Sequence, residues 1–186
     1  MRAVITIRSV GAGDDIAGLT ALIHAAYAPQ AAKGLRYWGT HQSVDDTRHR
    51  LASGHGLIAE RAGELVGTIT VRPPQPESQV ELYRDQRTWT ICQFAVAPEL
   101  KGSGIGNALH DAAVSYAILH GGCKMALDTA EPATSLIAMY RAWGYELAGK
   151  VDWRPHTNYV SVLMFKTLTS EANSNAPQRG CSQHDR

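Results

Sequence analysis

The stretch from Thr90 to Gly106 constrains the fold of this 186-residue chain more than any other. It begins with a run of strand-forming residues, TICQFAV, which ends before Pro98 because proline has no N–H to continue a strand ladder. A glycine-spaced loop, KGSGIG, follows at 101–106, and a helical pattern then runs from Asn107 to His120. This order predicts a phosphate-binding turn, since glycines let an anion approach the main chain at a helix N-terminus. An ordinary turn tightened by glycines fits the same spacing.

The glycine spacing excludes two well-known phosphate loops. A P-loop needs Lys-Ser/Thr after its last glycine, and a dinucleotide fingerprint needs glycine or alanine at the position of Asn107. The pattern that fits is Lys101-x-x-Gly104-x-Gly106, preceded by Val96-Ala97-Pro98. Here the chain resembles the GNAT acetyltransferase superfamily, whose pyrophosphate loop is Arg/Gln-x-x-Gly-x-Gly/Ala after a strand that ends in Val-x-Pro.

A second segment carries the same resemblance. Tyr140-Arg-Ala-Trp-Gly144-Tyr145 matches the superfamily pattern Tyr-x-x-x-Gly-Phe/Tyr, although Glu131-Pro132-Ala133 replaces an asparagine that is usual earlier in this segment. The resemblance spans roughly residues 3 to 167 and is most specific between 90 and 146. It implies an α/β fold with a mixed, mostly antiparallel sheet, helices on its flanks and a splayed central pair of strands.

The remaining patterns predict the element order of that fold. Asp14 and Asp15 occupy the N-cap and first-turn positions of a helix that should end near Tyr27, ahead of Pro29. Ser43 caps a second helix that should run to about Ala52. Further helices are expected at 107–120 and from a cap at 134 or 135 to about 143, with strands at 3–8, 57–61, 65–72, 90–96, 124–129, from 145, and at 160–166.

Composition bounds the classes of function. The formal net charge of +1 gives no electrostatic basis for binding nucleic acid or an anionic membrane. The apolar runs are too short to span a membrane and the N-terminus lacks a secretory apolar region, so we expect a cytoplasmic protein. The three cysteines, Cys92, Cys123 and Cys181, show no C-x-x-C spacing and are expected to be reduced thiols. The eight histidines are scattered, and no metal site is expected.

The length predicts one domain and no second one, and the resemblance implies that it is an acetyltransferase domain. We expect this domain over residues 1–167 and a disordered polar tail over 168–186, where no periodic pattern remains. The sequence does not decide between a monomer and a homodimer.

The resemblance implies direct transfer of an acetyl group from acetyl-CoA to the primary amine of a small molecule. It places acetyl-CoA against two backbone segments: Phe94, Ala95 and Val96 of the strand, and Lys101, Gly102, Ser103, Gly104, Ile105 and Gly106 of the loop. A main-chain N–H near Val96 is then the expected oxyanion donor. The resemblance assigns Tyr140 as the acid that protonates the leaving thiolate, since an ordinary tyrosine pKa near 10 is close to that of a thiol. Helical spacing alone makes Tyr140 a core residue.

The sequence does not identify a general base. Many relatives carry a glutamate on the strand before the glycine loop, but TICQFAV has no carboxylate, and Cys92 is expected to be a small buried residue. The candidates that remain are Glu81, Asp85 and Asp128, or a chain of ordered waters.

Two aromatic segments are candidate walls of the acceptor pocket. One contains Tyr37 and Trp38, and the other runs from Trp153 to Tyr159, with Glu81 and Asp128 as candidate polar contacts of the substrate. Local packing over the core explains the same aromatic residues.

Two alternative functions remain open. An aminoglycoside N-acetyltransferase needs an acidic site for its polycationic substrate, and Glu77, Glu81 and Asp85 form the only acidic cluster near the expected pocket. A non-catalytic acyl-CoA sensor is favoured by the missing glutamate and opposed by the presence of Tyr140.

Overall fold

In the computed structural model, which describes residues 4–169, seven strands form one sheet in the order β1-β2-β3-β4-β5-β7-β6. The strands are β1 Ile5–Ser9, β2 His55–Arg61, β3 Glu64–Arg72, β4 Thr88–Val96, β5 Lys124–Ala130, β6 Glu146–Asp152 and β7 Val160–Thr167. Only β4 and β5 pair in parallel, and every other neighbouring pair is antiparallel. The predicted mixed, mostly antiparallel α/β sheet is confirmed.

Helices cover both faces of this sheet. They are α1 Ile16–Ala31, α2 Val44–Ala52, α3 Glu81–Arg84, α4 Ile105–Leu119 and α5 Thr134–Ala142. On one face, apolar residues of α1 such as Ile23 pack against Ile58 and Ala95. On the other face, Leu109 of α4 and Tyr140 of α5 belong to the main core cluster of the sheet. Apolar burial on both faces therefore fixes the central strands in place.

The central pair of strands separates partway along its length. The parallel ladder between β4 and β5 ends at the pair Thr90–Ala126, whereas β4 continues to Val96 and β5 to Ala130. A slot therefore opens between the two strands, as the resemblance to the superfamily implies. The prediction of a splayed central pair is confirmed.

A bulge in β4 lies beside this slot. The pairs Thr70–Cys92 and Thr68–Ala95 leave one extra residue on β4, and Gln93 takes a left-handed backbone conformation with φ of 49°. Few residues other than glycine adopt this conformation. The side chain of Gln93 is buried, and its Oε1 accepts a hydrogen bond of 2.6 Å from Gln42 Nε2. This hydrogen bond holds the bulge in place.

The structure corrects both predicted ends of the first helix. Asp15, rather than Asp14, is the N-cap and accepts a hydrogen bond from the Gly18 N–H. The helix also continues through Pro29 to Ala31, so the predicted end near Tyr27 is wrong. A proline removes only its own N–H from the helix, and the Ala32 N–H still donates to the Ala28 carbonyl.

Two later helix boundaries also differ from the predictions. The helix after the glycine loop begins at Ile105 instead of Asn107, because Gly104 itself is the N-cap. The α5 helix has Ala133 at its N-cap, with no side-chain hydrogen bond, instead of Thr134 or Ser135. In both cases the backbone of the preceding turn sets the helix start without a capping side chain.

The described core extends slightly past the predicted domain boundary at residue 167. Leu168 is buried in the main cluster, and its N–H donates to the Cys123 carbonyl at 2.7 Å. The rest of the predicted tail, from residue 170, lies outside the described residues. Within residues 4–169, no helix combines the length and apolar character needed to cross a membrane.

Candidate active site

A cavity of about 970 Å³ occupies the slot between β4 and β5. Its lining includes both Asp128 and three glycines of the 101–106 loop, Gly102, Gly104 and Gly106. Tyr140 also lines it and packs in the core cluster that contains Leu127, whereas Asp128 follows Leu127 in the strand and projects to the opposite face. The cavity therefore passes through the sheet and connects its two faces.

The glycine loop lines the cavity at the start of α4. Gly102 and Gly104 have φ values of 79° and 91°, and a Cβ added to Gly104 would meet no atom within 4 Å. The main chain at the helix N-terminus is thus open to a ligand, as an anion site requires. Lys33 and Lys101 line the same cavity, and Lys101 Nζ donates to the Ala26 carbonyl at 3.2 Å. The open backbone and the Lys101 cation fit the pyrophosphate of a coenzyme A thioester.

The end of β4 presents free backbone to the slot. The Ala97 N–H donates to the Val66 carbonyl of β3 at 2.9 Å. Since successive N–H groups along a strand point to opposite edges, the Val96 N–H points toward the slot. Phe94, Ala95 and Val96 all line the cavity.

Two of the predicted cofactor residues have side chains that point elsewhere. Ile105 is 1% exposed and packs in the main core, while Ser103 Oγ donates to the Leu100 carbonyl at 2.5 Å. These residues can therefore serve an anion only through their backbone groups. Gly106 packs tightly on the strand, because its added Cβ would lie 3.3 Å from Phe94 Cζ.

Tyr140 projects from α5 toward the slot. Its ring packs edge-on against Trp143 and Tyr145, with centroid distances of 5.9 and 5.7 Å. The residue is only 8% exposed, yet it lines the cavity. Burial raises the pKa of Tyr140 well above its usual value, so the hydroxyl stays protonated throughout the neutral range.

Asp128 is fixed by two hydrogen bonds on the other side of the slot. Its Oδ1 accepts from the Tyr83 hydroxyl at 3.0 Å, and its Oδ2 accepts from Trp153 Nε1 at 2.9 Å. Burial, together with the nearby Asp128 charge, raises the pKa of Tyr83 well above its usual value, so Tyr83 remains a donor. A carboxylate with a fixed orientation therefore faces the cavity.

The two predicted aromatic segments meet beside Asp128. The rings of Tyr37 and Tyr159 lie 5.0 Å apart, and those of Trp38 and His156 lie 5.5 Å apart. Asn158 joins the segments, because it accepts from the Arg36 N–H and donates to the Gly34 carbonyl. We call this group of four rings the aromatic wall, and all four line the cavity.

Three residues considered from the sequence do not have the expected positions. Glu81 is exposed at the start of α3, and Asp85 forms an ion pair of 3.2 Å with Lys124; neither lines the cavity. Cys92 is half-buried instead of fully buried, because its strand borders the open slot. Of the candidate carboxylates, only Asp128 reaches the cavity.

Several lining residues were not singled out from the sequence. They include Tyr27, Arg50, Arg72, Tyr83 and Gln93. Arg72 gave a usable signal, since it is a cation at the end of a strand that carries no charge from Leu65 to Val71. Arg50 gave none, because a charged helix residue is normally part of a solvated face.

Comparisons with known proteins agree with this geometry. The model of the Acetyltransferase (GNAT) family matches residues 21–145. The chain is 29% identical over 157 residues to the S-(2-succino)cysteine N-acetyltransferase of Bacillus subtilis (strain 168), covering 83% of this chain and 91% of the relative. It is 27% identical over 162 residues to the S-alkylcysteine N-acetyltransferase of the same strain, covering 85% of this chain and 86% of the relative.

Solved structures share the fold. A GNAT family acetyltransferase from Elizabethkingia anophelis, crystallised with acetyl-CoA bound, superposes with a TM-score of 0.63 at 19% identity, covering 88% of this chain and 98% of that one. The family match covers the glycine loop, Asp128 and Tyr140. The chain therefore belongs to the GNAT acetyltransferase family and is an acetyl-CoA-dependent N-acetyltransferase.

Proposed function

We propose that this enzyme acetylates the primary amine of a small molecule that binds between Asp128 and the aromatic wall. The observation that carries the proposal is that one cavity contains both the glycine loop and Asp128. An amine placed against Asp128 has open space toward the slot and the loop. The names of both Bacillus relatives specify cysteine derivatives, which supports a small acceptor.

Asp128 holds the amine. A fixed carboxylate attracts an alkylammonium ion and orients it through charge-assisted hydrogen bonds. A carboxylate is a much weaker base than an alkylamine, so it cannot retain the amine's proton on its own. Asp128 therefore orients the amine, and the proton that the ammonium group loses passes through Asp128 to solvent.

Tyr140 and the end of β4 serve the other side of the reaction. Acetyl-CoA supplies the acetyl group as a thioester. The Val96 N–H, which points toward the slot, donates a hydrogen bond to the carbonyl oxygen as negative charge develops there. The Tyr140 hydroxyl, kept protonated by its raised pKa, donates to the leaving sulfur.

The raised pKa changes the role expected of Tyr140 from the sequence. A tyrosine whose pKa matches that of a thiol would transfer its proton at little cost. Burial lifts the pKa of Tyr140 well above that value, so complete transfer to the thiolate is less favourable. A hydrogen bond that strengthens as the sulfur becomes negative is then the main contribution of Tyr140.

The charged residues of the cavity argue against both alternatives, the aminoglycoside enzyme and the acyl-CoA sensor. Among the described lining residues, Lys33, Arg50, Arg72 and Lys101 are cationic and only Asp128 is anionic, so a polycationic aminoglycoside is disfavoured. The sensor alternative loses its main support, because Asp128 supplies the carboxylate that β4 lacks.

The test is release of free coenzyme A thiol from acetyl-CoA with a panel of amines. The panel contains S-substituted cysteines, simple alkylamines and an aminoglycoside, and reactions without amine measure background hydrolysis. Release with small amines supports the proposal, whereas release with the aminoglycoside alone supports the resistance enzyme. Tight acetyl-CoA binding with no release for any amine supports the sensor.

A further inference from the structure

We propose that the acceptor is a free amino acid whose carboxylate binds Arg72 and Arg50 while its amine faces Asp128. This inference rests on the proposed function and deepens it. Both arginines line the cavity, and within residues 4–169 neither forms an ion pair. They are therefore available to an anionic ligand.

Arg72 lies at the end of β3, on the same face of the sheet as Asp128. It pairs with Thr90 across the antiparallel ladder, and Thr90 pairs with Ala126, two residues before Asp128. Because side chains alternate along a strand, these residues share one face. The Nε of Arg72 is buried, and no described group accepts its hydrogen bond. Buried donors are nearly always paired, so an acceptor from outside the protein is expected there.

Arg50 is held in position by neutral groups. Its Nη1 donates to Gln42 Oε1 at 2.6 Å, and Gln42 Nε2 donates in turn to Gln93 Oε1 and to Thr47 Oγ1, both at 2.6 Å. This network links Arg50 to the bulge of β4. A guanidinium has five N–H donors in a fixed fork, so one bond to Gln42 leaves donors for a ligand.

The charges of this region are complementary to an amino acid. Asp128 is already oriented by Tyr83 and Trp153, and no described residue pairs with it as a counter-cation. A bound zwitterion would place its ammonium group on Asp128 and its carboxylate on the arginines, where bidentate geometry favours carboxylates. Without such a ligand, the two arginines would be unpaired cations in a partly buried site, which costs free energy.

The same arrangement distinguishes a free amino acid from other amines. A polypeptide N-terminus carries its first carboxyl group as an amide, and a simple alkylamine has none. Neither would neutralise Arg72. Lys101 is not needed for this role, because it belongs to the glycine loop and suits the cofactor's phosphates.

The experiment compares two acceptors that differ only in the carboxylate, S-benzylcysteine and S-benzylcysteamine. The parent enzyme should strongly prefer S-benzylcysteine. Arg72→Gln should lower kcat/KM for S-benzylcysteine about 100-fold, mainly through KM, and change the value for S-benzylcysteamine by less than about threefold. Arg50→Gln should act in the same direction, and Arg72→Lys should restore part of the preference.

Arg48→Gln is the matched control. Arg48 lies on the same helix as Arg50, with a side chain that is 61% exposed and paired with Asp45, and it does not line the cavity. Its substitution should leave both acceptors unaffected. Melting curves check that each variant is folded. If Arg72→Gln does not fold, the same comparison of acceptors is made with Arg50→Gln and Arg72→Lys.

Binding of the acetylated products separates this inference from the proposed function. Calorimetry should show that N-acetyl-S-benzylcysteine binds the parent more tightly than N-acetyl-S-benzylcysteamine does, and that Arg72→Gln removes the difference. If no amine is turned over but this difference is present, the proposed function fails and the carboxylate site stands. Equal use of both acceptors by the parent, equal losses on both in the arginine variants, or equal binding of both products overturns the carboxylate site.

Discussion

Tyr140 and Asp128 lie on opposite faces of the sheet, yet both line the cavity between β4 and β5. This is only feasible because the parallel ladder ends at the pair Thr90–Ala126. The Tyr140 hydroxyl and the proposed amine site thus approach the slot from different sides. The reacting thioester would lie between them, beside the free backbone of Val96.

The glycine loop gives a test of cofactor binding. Gly104→Ala should weaken acetyl-CoA binding at least about tenfold by calorimetry, because the new Cβ would occupy the open side of the loop and strain a backbone with φ of 91°. Gly121→Ala is the matched control. Gly121 has a φ of 84°, also faces open space and lies away from the cavity. Similar losses of acetyl-CoA affinity in both variants would show that backbone strain alone lowers the affinity, and would contradict a contact between the loop and the cofactor.

The hydrogen bonds to Asp128 give a test of the amine site. Trp153→Phe keeps an aromatic ring but removes the N–H that donates to Asp128 Oδ2. We expect kcat/KM for the amine to fall about tenfold, since one charge-assisted hydrogen bond is worth roughly 1.5 kcal/mol, while acetyl-CoA affinity stays unchanged. Trp89→Phe, in a buried tryptophan outside this cavity, controls for loss of stability. An unchanged kcat/KM for the amine in Trp153→Phe would contradict the role of this hydrogen bond in orienting Asp128 for the acceptor.

The ion pairs at the N-terminal edge give a stability prediction. Hydrogen bonds from Arg8 and from the Gly11 N–H lower the pKa of Asp14 to about 2 from 3.8. A lowered pKa means that Asp14 stabilises the fold above about pH 4 and that this contribution is lost as the pH falls toward 2. Asp14→Asn should therefore reduce the free energy of unfolding by up to about 1 kcal/mol at pH 7, and less as the pH falls through that window. Denaturant melts at several pH values measure this, with the exposed Asp45→Asn as the control.

Much of the fold could be predicted because local signals agree with tertiary packing. The run TICQFAV, the stop at Pro98 and the glycine loop each have one structural solution, and the observed strand, turn and helix follow it. The end of α1 could not be predicted in the same way. Pro29 is a strong local signal for a helix end, but near the last turn it removes only one hydrogen bond, and the helix continues.

The site was less predictable than the fold, because its residues are brought together by the sheet. The Gln93 bulge leaves no mark in the sequence, since its left-handed backbone is held by a side chain from a distant loop, Gln42. Likewise, Asp128 could not be chosen over Glu81 and Asp85 until the ladder was seen to end at Ala126. Arg50 differs from a surface arginine only in what surrounds it.

The most direct test of the proposed mechanism is the single-turnover rate of Tyr140→Phe with a good amine substrate. This change keeps the ring that packs against Trp143 and Tyr145 and removes only the hydroxyl. A single-turnover measurement is needed because product release can hide the chemical step in kcat.

The account predicts that this rate falls on the order of 100-fold, with acetyl-CoA affinity within about threefold of the parent and the same melting temperature. A rate equal to that of the parent would contradict the account, because the leaving sulfur would then need no hydrogen bond from Tyr140 and Tyr140 would be a packing residue.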